Sequence, residues 1–132
     1  MSDPAPAAPL PNPAHLPDGL EPYRRTAVFT QDTLPAALRR DHDTKPGVWG
    51  LIHVLSGALC YRITDPRREP AERVLTPGTS PGVVEPTILH HVEPVGAAEF
   101  QVEFHRAPPA PLCRHEELAG LENRLRAALA ED

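Results

Sequence analysis

The stretch His42-Asp43-Thr44-Lys45-Pro46-Gly47-Val48-Trp49-Gly50 runs on through Leu51-Ile52-His53-Val54-Leu55 to Gly57. It is answered far downstream by Val84-Glu85-Pro86-Thr87-Ile88-Leu89-His90-His91-Val92-Glu93-Pro94. Each segment ties a histidine to a strand pattern, which is how a small β-barrel gathers side chains from distant sequence into one pocket. In the first segment Val48, Gly50, Ile52 and Val54 alternate with Trp49, Leu51, His53 and Leu55. Both sets are apolar, so the strand is expected to be covered on both faces. In the second, His90 shares a face with Ile88 and Val92, and His91 with Thr87 and Glu93. The period of two then directs His90 inward and His91 outward. If Gly50, Ile52 and Val54 line the interior, His53 faces the outer layer.

Outward from these segments, the spacing predicts further short strands. Thr26–Thr30 reads as a first strand, Asp32-Thr33-Leu34-Pro35 as the start of a short helix reaching about Arg40, and Leu59, Tyr61 and Ile63 as the next alternation. Asp65-Pro66-Arg67-Arg68 and Pro77-Gly78 are turns, and final strands centre on residues 88–92 and 100–104. Residues 1–20 hold six of the 18 prolines and no Lys or Arg, and read as a disordered proline-rich leader. Residues 21–108 form the barrel. Residues 109–132 are a linker and a helix, with Leu118, Leu121, Leu125 and Leu129 at helical spacing.

The paired segments, H-x-T-K-x-G-x-W-G and V-E-P-x-x-x-H-x-V-E, resemble the N-terminal domain of TehB-like tellurite-resistance proteins and the YeaR-like small cupins, over about Tyr23 to Arg106. The resemblance implies an all-β, cupin-type double-stranded β-helix, here with a short N-terminal helix and a C-terminal helix. Where the family carries a tryptophan before the second-motif histidine, this chain has Leu89. Counting back from Gly57, His42 and Thr44 fall near the two histidine places of a metal-binding cupin, and His90 matches the histidine of the second motif. The glutamate place of the first motif falls near Trp49 or Gly50.

The expected pocket therefore comprises His42, Thr44, Lys45, Trp49, Glu85 and His90. Within it His42, His90 and Glu85 are the expected ligands of one divalent metal ion, zinc, iron or nickel. Glu103 is a weaker carboxylate candidate, because its parity sets it opposite Phe100, Val102 and Phe104. The expected function is binding of a metal or small molecule in a stress or tellurite and oxyanion-resistance context. The alternatives are a metal-dependent enzyme, in which an open coordination position activates water or oxygen, and a metal-free dimeric interaction domain.

Composition narrows the rest. A chain of 132 residues has room for one core. No glycine-rich fingerprint follows a strand, so no nucleotide cofactor is expected. The net charge of −5, with basic residues scattered as Arg24-Arg25, Arg39-Arg40 and Arg67-Arg68, argues against nucleic acid as a partner. No apolar run is long enough to span a membrane. Two cysteines, Cys60 and Cys113, are too few for a disulfide framework, and a cytoplasmic location is expected. The two-sided apolar strand around Trp49 to Leu55 calls for a cover, and a homodimer is the expected one.

Overall fold

A computed structural model describes residues 9–108. The expected C-terminal helix, with Cys113 and His115, lies outside these residues. The described chain is all-β. Strands β1 (Glu21–Arg25), β2 (Phe29–Thr30), β3 (Trp49–Ile63), β4 (Ala71–Leu75), β5 (Gly82–Val84) and β6 (His90–Arg106) form one antiparallel sheet. The order is β1-β6-β3-β4, with β2 added to β6 and β5 to β3.

The long strands β3 and β6 pair from Trp49↔His105 to Ile63↔His90, interrupted twice, between Val54 and Ser56 and between Gly57 and Leu59. These irregularities shift the inward face of β3 from even to odd numbers. Gly50, Ile52 and Val54 are buried in the first half, and Leu59, Tyr61 and Ile63 in the second. Gly57 sits at the break with φ of 75°, and a Cβ there would lie 2.0 Å from the Ala97 carbonyl oxygen. Only glycine fits that approach. The ladder folds back on itself at this point, so that Phe100 and Leu59, both fully buried, meet in one core with Ile52, Leu75, Ile88 and Val92.

Two local expectations are corrected. The first strand is split: β1 ends at Arg25 and β2 begins at Phe29. Thr26 bridges the gap, its N–H donating to the Val102 carbonyl at 2.9 Å and its Oγ1 accepting from the Val102 N–H at 3.0 Å. The expected helix after Asp32 shrinks to a four-residue 3-10 helix, Ala36–Arg39. The Thr30 carbonyl takes the N–H groups of Thr33 and Leu34, and the Thr33 hydroxyl takes the N–H of Thr30. These hydroxyl bonds stabilise a turn, and Arg40 is already extended.

Within the proline-rich leader, Leu10 forms a parallel bridge with Arg68, and the Asn12 amide donates to the Glu69 carbonyl at 2.8 Å. None of the described helices is long and apolar enough to cross a membrane.

Candidate functional site

The site begins with a backbone exchange. The His42 N–H donates to the His90 carbonyl and the His90 N–H to the His42 carbonyl, each at 2.9 Å, so the two residues form an isolated antiparallel bridge at the start of β6. The approach is set by the next turn. There the Thr44 hydroxyl donates to the Val48 carbonyl at 2.7 Å, the Val48 N–H donates to the Lys45 carbonyl at 3.0 Å, and Gly47 takes φ of 80°. The Thr87 N–H fastens this turn to the second segment by donating to the Thr44 carbonyl at 3.0 Å.

The two imidazole rings lie 4.2 Å apart between centroids, tilted by 57°. His42 Nδ1 is 2.9 Å from the Arg40 carbonyl and His90 Nδ1 is 2.9 Å from the Ile88 carbonyl. A carbonyl oxygen only accepts, so each Nδ1 carries a proton, and in the neutral form of either ring the lone pair sits on Nε2. Burial, only partly offset by the Ile88 carbonyl, lowers the His90 pKa to about 4. This imidazole is neutral near pH 7 and acts as a hydrogen-bond acceptor. Tyr61 packs edge-on against it at 5.7 Å and donates its hydroxyl to the Val83 carbonyl at 2.8 Å.

Both histidines line a cavity of about 340 Å³. Ile52, Val84, Val92, Phe100, Val102 and Phe104 form its walls, drawn from both halves of the folded ladder. Tyr23 and Arg24 of β1, Leu38, and Asp43, Thr44, Lys45 and Val48 complete the lining. The arrangement offers an apolar volume, two imidazole acceptors and a charged rim.

Of the residues expected in the pocket, His42, Thr44, Lys45 and His90 line this cavity, whereas Trp49 and Glu85 do not. Trp49 stands on the opposite face of β3 from Gly50 and Ile52, beside His105 of β6. Glu85 is engaged by Arg68, whose Nε donates to its two carboxylate oxygens at 3.0 and 2.8 Å. Glu103 faces outward, paired with Arg25 and 2.7 Å from His105 Nε2. His91 is drawn outside as well, its Nδ1 donating to Asp41 at 2.9 Å. That bond, together with the Thr64 hydroxyl, holds the Asp41 carboxyl below its ordinary range. The sequence reading missed Tyr23, Arg24, Val84 and Phe104 as lining residues. The signal for Arg24 is the register Arg24↔Phe104, which is set by long-range pairing and is invisible in local sequence.

An antiparallel sheet folded over an apolar cavity, with paired histidines at its edge, defines a small pocket-bearing β-domain. Residues 24–102 match the family described as the TehB-like domain, and the chain belongs to that family. Two curated relatives from Haemophilus influenzae strains, each named "Probable S-adenosyl-L-methionine-dependent methyltransferase TehB", are 39% and 38% identical over 72 residues. The match covers 54% of this chain and 25% of theirs, so the chain spans about a quarter of the length of these relatives. The crystal structure of TehB from H. influenzae is similar with a TM-score of 0.62 and 32% identity, over 68% of this chain and 32% of that one. A protein of Escherichia coli strain K12 is similar with a TM-score of 0.63 and 26% identity, over 71% of this chain and 97% of its own.

The expectation of a divalent metal is overturned. Among the described residues no group of three or more His, Cys, Asp or Glu side chains is placed to hold a metal ion. The expected third ligand, Glu85, is committed to Arg68. The relatives' names carry S-adenosylmethionine, an organic cofactor, in place of a metal, and so also run against the expectation of no nucleotide cofactor.

Proposed function

We propose that this chain is a small-molecule-binding domain of cupin type, acting in the cytoplasm, in the tellurite or oxyanion-resistance context implied by its family, and working as a homodimer. One observation carries the binding reading: His42 and His90 are both fixed through Nδ1 to backbone carbonyls, so their Nε2 acceptors belong to a cavity that is otherwise apolar. A cavity of about 340 Å³ suits a molecule of modest size with an apolar body and a hydrogen-bond donor. The folded-back β3–β6 ladder supports the cupin assignment. The free, buried Cys60 suits a reducing compartment.

S-adenosylmethionine, named for the longer relatives, does not fit the described residues. No glycine-rich turn joins a strand to a helix among them, and the cavity walls are hydrocarbon. No step through that cofactor is assigned to this domain.

The binding reading is tested with p-cresol, a neutral ring bearing one hydroxyl donor, titrated into isotope-labelled protein. Saturable shifts confined to residues around the cavity are expected, and they should vanish in Val102→Trp, which fills it. Shifts that persist in Val102→Trp, or no saturable binding to the unaltered protein, contradict the reading.

A further inference from the structure

The rim of the cavity carries charge that the fold does not use. Arg25, Arg62, Arg67 and Arg68 each face a carboxylate, on Glu103, Glu72, Asp65 and Glu85 respectively. Arg24 and Lys45 line the cavity instead, and among the described residues neither takes part in an ion pair within 4 Å. Arg24 stands on β1 opposite Phe104, and Lys45 in the turn that follows His42, so they approach the cavity from two elements. Among the described residues Asp43 is the one carboxylate that lines it. The rim is therefore net cationic above an apolar interior whose fixed polar atoms are acceptors.

We infer that the ligand is a small organic acid: a ring or branched apolar body among Phe100, Phe104 and the aliphatic walls, a carboxylate or comparable anion at Arg24 and Lys45, and a hydroxyl or amino donor at the Nε2 atoms of His42 and His90. This inference rests on the binding reading above and deepens it. Each part answers a stated feature. An aromatic body suits a wall holding two phenylalanines. A charged group outside the walls keeps its contact with water and gains two cations. A donor is needed because a neutral imidazole whose Nδ1–H is already committed accepts and does not donate. A bare inorganic oxyanion leaves the hydrocarbon volume unfilled, and a hydrocarbon without an acid leaves the cations unused.

The experiment compares three probes by calorimetry on the full chain. They are 4-hydroxyphenylacetate, p-cresol, which lacks the acid, and phenylacetate, which lacks the donor. 4-Hydroxyphenylacetate is expected to bind at least about tenfold more tightly than either truncated probe, the scale of one charge-assisted contact. The double variant Arg24→Gln, Lys45→Gln should remove the advantage of 4-hydroxyphenylacetate over p-cresol when both are measured on that variant. Both residues are exposed, and an unchanged melting temperature confirms the fold. As a second readout on the unaltered protein, added salt should weaken 4-hydroxyphenylacetate but not p-cresol. If p-cresol binds and the acid adds nothing, or the double variant and salt leave 4-hydroxyphenylacetate unaffected, the organic-acid inference is overturned and the pocket stands. Failure of all three probes to bind overturns the inference and the binding reading together.

Discussion

His42 and His90 exchange both backbone hydrogen bonds at 2.9 Å, and this exchange holds their imidazoles 4.2 Å apart at the edge of the cavity. The pairing joins residues 48 positions apart in sequence, so the site forms only when the first turn docks on the start of β6. Anything that loosens either segment is expected to weaken binding before it unfolds the sheet.

The buried imidazole makes stability depend on pH. His90 titrates at about 4 in the folded protein, against 6.5 for an unperturbed histidine. Between these values the unfolded chain holds the extra proton, so stability is full above about pH 6.5 and falls as the pH drops toward 4. With about 1.4 kcal/mol per pH unit as the ceiling, the loss approaches about 3 kcal/mol. The depressed carboxyls Asp41, Asp65, Glu72 and Glu103 also lose their contribution as pH falls, but at and below ordinary values of 3.8 to 4.5. Urea unfolding across this range should show the slope in the native chain and a flatter profile in His90→Phe. An identical slope in both assigns it to other groups.

Adjacent histidines should behave differently. His90→Ala removes an acceptor from the cavity, whereas His91→Ala removes an outer partner of the exposed Asp41. p-Cresol binding is expected to fall several-fold in the first and to stay within about twofold in the second, since successive strand residues face opposite sides. Equal losses are the contrary result.

Gly57 should be the least replaceable glycine among the described residues. An added Cβ meets the Ala97 carbonyl oxygen at 2.0 Å and the Ala98 Cα at 2.9 Å, on backbone that cannot step aside. Gly57→Ala is expected to cost about 3 kcal/mol or more. Gly96 has φ of 70° but nothing within 4 Å of the added carbon, so Gly96→Ala should cost about 1 kcal/mol. Denaturant unfolding of both variants makes the comparison.

Asp65 is only 3% exposed and gathers the Arg67 backbone N–H, the Arg67 guanidinium and the Leu89 N–H. The Arg67 guanidinium, first among these donors, holds its carboxyl well below the usual range. Asp65→Ala leaves the Leu89 donor unpaired beside His90 and is expected to cost about 2 to 3 kcal/mol in urea unfolding. A loss below about 0.5 kcal/mol would remove Asp65 as the support of that segment.

The homodimer proposal is tested through Leu55, which is 48% exposed on the outer face of β3. Sedimentation should show a dimer for the full chain and a shift toward monomer for Leu55→Arg. A monomeric unaltered chain at high micromolar concentration contradicts the proposal.

Strand parity made much of this legible in sequence. The alternation of β3 and β6 separates Ile52 and Val54 from His53, and His90 from His91, because a period of two needs no tertiary information. Non-local pairing decided the rest. Glu85 reads as a free carboxylate beside a histidine until Arg68, 17 residues earlier, engages it. Arg24 becomes a rim residue only through its register with Phe104. Trp49 belongs to the motif residues quoted first, yet its odd number already set it on the outer face with His53.

The central claim is that His42 and His90 present two Nε2 acceptors to a ligand cavity, and long-range proton–nitrogen spectra of imidazole-labelled protein test it most directly. The account predicts both rings as Nδ1–H tautomers, with the two Nε2 resonances, and not that of His91, shifting as p-cresol is added. Protons on Nε2 in the free protein, or Nε2 resonances of His42 and His90 that stay fixed while p-cresol binds, would contradict it.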